Sequence, residues 1–498
     1  MDWFQASDYW LSRFIFGRAL AAVYFIALLV TVNQFPALLG ERGLLPVSRF
    51  VRIVPLRHAP SLFHFAYSDR LLRVVSWVGI VLAASLVVGL PQQGPAWLLM
   101  LVWLALWSMY LSIVNVGQTF YAFGWETLLL EAGAIAIFLG PDRVAPPVTV
   151  MWLVRWLLFR VEFGAGLIKI RGDPCWRDLT CLFYHHETQP MPNPLSWYFH
   201  HLPQLVHRVE VLGNHVGQLV APFALFAPQP VASAAALVMI VHQLWLILSG
   251  NFSWLNALTM TLAFAVVGDG WWQLVLPFGH GALQPLAPWS AGLTLAFTLL
   301  VVVLSYWPVR NLLSRRQLMN ASFDPFHLVN TYGAFGSITR ARYEIVIEGS
   351  TDREVGPGTV WREYEFKGKP GDVRRRPPQI APYHLRLDWL MWFAAMSTPL
   401  AHPWILALIE KLLENDGPTL RLLRRNPFPD RPPAFVRALL YHYRFTTWRE
   451  RKETGAWWLR TRVGAYLPPL SLSPAVDERL GVEDVVPERQ VLDPDTGA

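Results

Sequence analysis

The sequence predicts a multi-pass α-helical membrane bundle of about eight or nine spans, followed by an α+β extramembrane domain with antiparallel strands. Three observations predict it. The 498-residue chain is 53% hydrophobic and only 15% charged, with 24 Trp and 29 Phe, which is too apolar for an ordinary soluble domain. Several apolar runs reach the ~20 residues that a helix needs to cross a bilayer. Beyond residue 309 these runs give way to segments that alternate apolar and polar residues.

The runs lie at 18–35, 71–90, 96–115, 120–139, 148–168, 211–228, 230–250, 255–277 and 287–307, with the 211–250 pair the least regular. The first lacks the small-residue cleavage site of a signal peptide and is followed by many spans, so it reads as a retained anchor. No repeat, low-complexity tract or nucleic-acid motif interrupts the pattern. The formal net charge of +7 comes overwhelmingly from Arg, with Lys only at 169, 367, 369, 411 and 452, a bias read as a GC-rich bacterial source. A basic membrane protein places Arg beside anionic headgroups, so membrane lipid is the expected partner of this charge and nucleic acid is not. Cys175 and Cys181 share one loop. They close a small disulfide if that loop lies in an oxidising compartment and stay free thiols otherwise. Their five intervening residues do not make a CxxC redox pair, and two cysteines do not complete a structural zinc site.

The boundary is expected near 309, where "YWPVRNLLSRRQLMN" turns from apolar to basic. This gives a transmembrane domain at 1–309 with a loop at 171–210, an extramembrane domain at 310–470, and a disordered acidic tail at 471–498. "RYEIVIEGS" (342–350) and "WREYEFKGKPG" (361–371) read as two strands of an antiparallel pair, and 438–448 and 456–467 as further strands. Between them, Trp404, Ile405, Leu408, Ile409 and Leu412 have helical spacing.

Charged residues at bilayer depth cost at least ~2.5 kcal/mol each and need partners or a wet cavity. Glu126 and Glu131 fall in one span, and Arg155, Arg160, Glu162 and Lys169 in the next, with Glu162 and Lys169 on one helix face. Either they pair to hold helices in register or they line a polar chamber. In both cases Gly164 and Gly166 let another backbone approach closely. "YHHETQPMPNPLSWYFHHLP" (184–203) leaves this span with two histidine pairs and four prolines. None of His185, His186, Glu187, His200, His201, His207 and His215 stands in an HExxH-like spacing, so no metal is expected and the histidines are read as hydrogen-bonding residues. The prolines favour an extended, stiff segment, and Trp197 and Tyr198 suit a membrane–water interface.

The stretch "LIKIRGDPCWRDLTCLFYHHETQPMPNPLSWYFHHLP" (167–203) resembles the signature segment of the lipase maturation factor family. The likeness continues through "EVLGNHVGQLVAPFALF" (210–226), "ILSGNFSWLNALT" (247–259), "FDPFHLVNTYGAFGSIT" (323–339), 364–396, "NPFPDRPP" (426–433) and "GAWWLRTRVGAYLPPLSL" (455–472). These blocks are long, in order, and cover most of the chain from about 110 to 472. The resemblance implies a chaperone-like membrane protein that assists folding and assembly of client proteins, secreted lipases in this family. It implies no catalytic residue and no cofactor, and it leaves the oligomeric state open. It places the chain in the endoplasmic reticulum membrane if eukaryotic and in the plasma membrane if bacterial. Carried over position by position, it nominates Arg171, Gly172, Asp173, His185, Glu187, Pro190, Pro192 and Pro194 in the loop, to which the residue reading adds Trp197. In the extramembrane domain it nominates Tyr332, Gly333, Trp361, Tyr364, Phe366, Tyr383, Arg386, Asp388 and Trp389.

The competing reading is a membrane-embedded enzyme, distantly similar to vitamin K-dependent carboxylases, with Lys169 beside Glu162 as a desolvated base. It requires a cavity leading to Lys169, whereas a folding factor requires an exposed aromatic surface beyond residue 309. With an odd number of spans the loops 36–70 and 171–210 share one side with the extramembrane domain. Their arginines favour the cytoplasm, while the family resemblance favours the lumenal or outer side.

Overall fold

In the computed structural model, which describes residues 2–472, the apolar runs are helices whose ends are set by short local signals. The Ser68 hydroxyl accepts the Leu71 N–H at 3.1 Å and caps Asp69–Val88, which stops at Gly89 in the left-handed conformation (φ 93°). Pro95 and Pro147 stand just before Ala96–Asn115 and Val148–Arg171, where a missing N–H breaks no helical bond. The tail expected to be disordered from Ser471 lies, past Leu472, outside the described residues.

Among the described residues, five helices are long and apolar enough to cross a membrane: Ser7–Leu39, Asp69–Val88, Ala96–Asn115, Val231–Ser249 and Pro288–Leu313. Eight or nine spans are not reached on that measure. The 120–139 run yields a 13-residue helix, Gly124–Ala136, which carries Glu126 and Glu131, and the 255–277 run yields only Leu255–Phe264. Val148–Arg171 has the length but carries Arg155, Arg160, Glu162, Lys169 and Arg171. The 211–228 run starts earlier, at Gln204, and is distorted by a π turn at Val216–Val220 just before Pro222, which cannot donate a helical hydrogen bond.

The long helices bury one side in protein and leave the other apolar. In Asp69–Val88 only 33% of the apolar window is buried, and Val74, Trp77, Val81 and Val88 are exposed. At ~25 cal/mol per Å² such a face is unfavourable in water and at home in lipid. The chain is an integral membrane protein.

Beyond the bundle, an antiparallel sheet runs β2 (Arg362–Glu363), β1 (Arg342–Ser350), β5 (Phe435–Phe445), β6 (Trp458–Leu470), with a small pair β3 (Glu365–Phe366) and β4 (Leu423–Arg425) beside it. β1 matches its expected span, but its main partner is β5, in register Ile345↔Leu440, and it meets β2 only at Glu348↔Glu363 and Gly349↔Arg362. The 361–371 run fails as a long strand because Gly368, Pro370 and Gly371 break it. Helices Arg386–Ala394 and Trp404–Leu413 complete the α+β arrangement.

All of β1 except Tyr343 is buried, because both its faces are covered. Ile345 and Ile347 join the main core with Leu408 and Leu412, while Arg342 and Val346 face the 184–203 segment.

The chain between bundle and sheet lies directly on Val148–Arg171. A Cβ added at Gly164 would stand 2.4 Å from the Tyr332 carbonyl oxygen, and one at Gly172 2.3 Å from that of Gly336. The close backbone approach expected at Gly164 is realised, and its partner is residues 332–336. Gly164→Val is therefore expected to push this segment off the helix at a cost of about 1–3 kcal/mol. A lowered thermal midpoint of the detergent-solubilised protein, with unchanged helical content, checks it.

Candidate functional site

The signature segment opens at Asp173, whose carboxylate caps the next turn by accepting the Cys175 N–H at 3.0 Å and takes both guanidinium N–H groups of Arg340 at 2.9 and 3.0 Å. Arg340 holds the Asp173 carboxyl down to about 2, so this tether stays ionised at physiological pH. Cys175 and Cys181 are disulfide-bonded in a small core with Trp176, Val211 and Ile338. Arg171, exposed, donates to Gln317 Oε1 and the Leu312 carbonyl, both at 2.9 Å.

The segment is not one extended loop. Helices Leu182–Thr188 and Ser196–His200 flank a link at 189–195 that holds Pro190, Pro192 and Pro194. The prolines bar helix only where they stand, and 182–188 has none.

Polar bonds, several of them buried, seat the segment on the sheet domain. Arg342 donates to the carbonyls of Glu187 at 2.9 Å, Gln189 at 2.5 Å and Pro190 at 3.0 Å. Glu187 Oε2 accepts the Phe445 N–H at 2.6 Å, and the Pro194 carbonyl accepts Arg376 Nη2 at 2.9 Å. Asn251 joins the bundle to both parts, donating to the carbonyls of Pro192 at 3.2 Å and Pro378 at 2.9 Å. Trp197 is fully buried: its Nε1 donates to the Thr446 carbonyl at 2.9 Å and its ring meets Trp448 and Trp457 at centroid distances of 4.4 and 5.9 Å. His185 is buried between Phe252 and Phe335.

Arg155 stands apart, donating to the Leu225 carbonyl at 3.2 Å and to the Tyr9 hydroxyl, and the other intramembrane charges split into three groups. Glu126 takes Arg386 Nη1 at 2.7 Å and the Tyr110 hydroxyl, while the Arg386 guanidinium lies 3.4 Å from the Tyr121 ring centre. Glu131 takes Arg160, the Asn330 N–H at 3.0 Å and the Tyr332 hydroxyl at 2.8 Å. Glu162 accepts Gln218 at 3.1 Å and Gln243 at 2.7 Å, and Lys169 donates to Asn214 at 2.9 Å and Gln218 at 2.6 Å. Glu162 and Lys169 thus communicate through Gln218 and form no direct pair. In the first group Arg386, from beyond 309, supplies the partner of a carboxylate in the bundle, and in the second Asn330 and Tyr332 hydrogen-bond to a pair that lies wholly within it.

Most of the other nominated positions are buried supports. Asp388 accepts the N–H groups of Gly368 at 2.6 Å and Lys369 at 3.3 Å, and burial raises its carboxyl despite them. Trp389 packs edge-on to Trp125, Tyr364 lies against Phe428, and Phe366 is buried. Tyr383 accepts Asn33 Nδ2 at 3.3 Å, and Trp361 lies under the Arg437 guanidinium at 3.9 Å. Gly333 lies against Met319 and Ile168.

An exposed aromatic surface stands above buried Trp197. Trp448 is 58% and Tyr198 36% exposed, their rings 6.0 Å apart, with Arg376 and Arg451 over Tyr198. Trp448 begins the helix Trp448–Thr454, fixed by a capping box between Thr447 and Glu450 and ended by Gly455 at φ 70°. Arg444 pairs with Glu450 and holds its carboxyl down to about 2. Trp448 carried no signal in the sequence beyond being the tryptophan that ends the strand expected at 438–448, and the strand in fact stops at Phe445. A cleft of about 510 Å³ also opens on the sheet, walled by Arg362, Glu363, Arg425 and Arg460, and Lys169 is not among its walls. Finally, His186 and His207 converge with Glu210. The i, i+3 spacing of His207 and Glu210 puts two ligand types on one helix face, a signal the search for HExxH passes over.

These features define a class: a multi-pass membrane protein whose loop after a charged helix is welded by buried polar bonds to an antiparallel sheet domain. Sequence models of the lipase maturation factor transmembrane domain and the lipase maturation factor C-terminal domain match residues 11–274 and 328–468. Lipase maturation factor 1 of Bos taurus is 43% identical over 511 residues, covering 94% of this chain and 90% of the relative, and that of Homo sapiens is 42% identical over 507 residues, covering 94% and 89%. Lipase maturation factor 2 of Homo sapiens is 29% identical over 621 residues, covering 96% and 86%. No solved structure matches the chain. The chain belongs to the lipase maturation factor family. The carboxylase-like alternative draws no support from these relatives, nor from Lys169, which is buried on two amide oxygens.

Proposed function

We propose that this protein is a membrane-embedded maturation factor that helps a client lipase reach its folded, active form. The observation that carries the reading is the similarity to lipase maturation factors 1 along nearly the whole of both chains. The reading that the client docks on Tyr198 and Trp448, flanked by Arg376 and Arg451, is supported by their exposure, by the aromatic and arginine composition of interaction hot spots, and by the buried base beneath them. The buried candidates, among them His185, Pro192, Arg386, Asp388 and Trp389, then act by holding that base in shape.

We read the described chain as crossing the membrane nine times. Gly124–Ala136, Val148–Arg171, 204–224 and Leu255–Phe264 complete the count beside the five apolar helices, their buried charges held by hydrogen bonds. The boundary then falls at the end of Pro288–Leu313, a few residues past the expected 309. The Cys175–Cys181 bond fits an oxidising compartment, which supports placing the signature segment and the sheet on the lumenal or outer side despite their nearby arginines. That side belongs to the endoplasmic reticulum membrane in a eukaryote and to the plasma membrane in a bacterium.

The test is complementation of cells that lack their own lipase maturation factor. The chain is expected to raise the specific activity of a co-expressed secreted lipase. Tyr198→Ala with Trp448→Ala is expected to lower that gain at least tenfold, the effect of losing a ~1.4 kcal/mol share of binding, at unchanged protein level and thermal midpoint. Equal lipase activity with and without the chain would reject the function, and equal activity from wild type and double variant would reject this surface.

A further inference from the structure

The residues that the maturation reading leaves unused are His186, His207 and Glu210. Candidate ligand atoms on all three lie within 4.8 Å of one another. His186 comes from Leu182–Thr188, and His207 and Glu210 come from adjacent turns of Gln204–His215. Glu210 Oε2 stands 2.7 Å from His207 Nδ1 and 3.8 Å from His186 Nε2. Ligands around a tetrahedral zinc ion, each ~2.0–2.1 Å from the metal, are about 3.4 Å apart, so the observed separations bracket that value.

Two further observations point to a ligand. His186 Nε2 is buried, faces Glu210, and makes no hydrogen bond. Buried ring nitrogens are normally satisfied, so this one calls for an explanation. The other oxygen of Glu210 is already oriented, accepting Trp245 Nε1 at 2.8 Å. A donor that fixes a carboxylate from behind is a common support of metal ligands. Phe199, packed on both His186 and Trp245, and Phe183, packed on His207, screen the group.

We propose that His186, His207 and Glu210 bind one divalent transition-metal ion of the zinc class, as a structural staple. Two imidazoles and one carboxylate suit zinc, whereas calcium and magnesium prefer all-oxygen shells. Binding replaces the His207–Glu210 hydrogen bond, and the neutral histidines present lone pairs to the metal, with water completing the shell. The ion ties the signature segment to the helix that follows it, and through Trp245 to Val231–Ser249. The base under Tyr198 and Trp448 is thereby stiffened on the side where prolines do not act.

The full-length protein in detergent, stripped with a chelator, refilled with zinc chloride and dialysed, is expected to retain about one zinc per chain by elemental analysis. Cobalt(II) loaded in its place is expected to give the visible absorption of a tetrahedral site. Glu210→Gln, which keeps an acceptor for Trp245, and His207→Gln are each expected to weaken zinc binding more than tenfold, and His200→Gln is expected to leave it unchanged. Chelation should lower the thermal midpoint of the wild type and leave that of Glu210→Gln where it is. A refilled wild type without stoichiometric zinc overturns the proposal even if the variants fail to fold. Equal zinc in wild type and Glu210→Gln overturns it as well.

Discussion

Glu126→Ala is expected to leave almost no folded protein in the membrane fraction. The substitution strands the fully buried Arg386 guanidinium, whose remaining partners are the Phe120 carbonyl at 2.8 Å and the face of Tyr121. Removing one member of a buried pair costs about 3–5 kcal/mol, a large part of the stability of an ordinary domain. The Tyr110 hydroxyl loses its acceptor too. Because Arg386 opens the helix Arg386–Ala394 and its own N–H donates to Gln34 Oε1 at 3.0 Å, the damage falls on the joint between bundle and sheet domain. Replacing both members with apolar side chains, Glu126→Leu with Arg386→Met, is expected to restore much of the folded yield, since it removes the unpaired charge. Yields that match wild type for Glu126→Ala alone would show that the pair does not hold this joint.

Trp197→Ala is expected to cost about 3–5 kcal/mol by emptying the centre of an aromatic cluster. Trp197 shares that cluster with Val346, Tyr443, Phe445, Trp457 and Trp458, drawn from β1, β5 and the start of β6. Losing it should release the Ser196–His200 helix from the sheet. Hydrogen exchange is expected to rise in 184–203 and 443–458 and to stay unchanged in Ala96–Asn115. Trp197→Phe keeps most of the packing and loses the Nε1 bonds to the Thr446 carbonyl and hydroxyl, so a cost of about 1 kcal/mol is expected. Client capture should follow the same order, with alanine far worse than phenylalanine. Comparable exchange in all three proteins would contradict the seating of the segment.

What the sequence made legible is what local pattern controls. Apolar runs gave the long helices, period-two alternation gave β1, and the spacing of Trp404, Ile405 and Leu408 gave their helix. The blocks from 167 to 472 carried the family. What stayed hidden depends on partners far along the chain. Arg386 reads as a surface residue until Glu126, 260 positions earlier, is seen beneath it. Tyr332, Tyr364 and Trp389 read equally well as recognition residues or as core, and only their burial separates the two. The count of spans was blurred by charged helices such as Val148–Arg171, whose buried charges are met by long-range hydrogen bonds and one ion pair that hydropathy does not register. Trp448 and the His186–His207–Glu210 group arise where separate elements converge, which no single window displays.

A maturation role requires the signature segment and the sheet to lie together on the side of the membrane where secreted lipases fold. Single cysteines at Ser48 and Ser471, with a control at the exposed Gln93 at the opposite end of the bundle, can be probed with an impermeant thiol reagent, because Cys175 and Cys181 are bonded to each other. In intact bacterial cells, Ser48→Cys and Ser471→Cys are expected to label from outside, and Gln93→Cys only after the membrane is opened. Labelling of Gln93→Cys alone would place the platform in the cytoplasm, away from any secreted client, and would contradict the account.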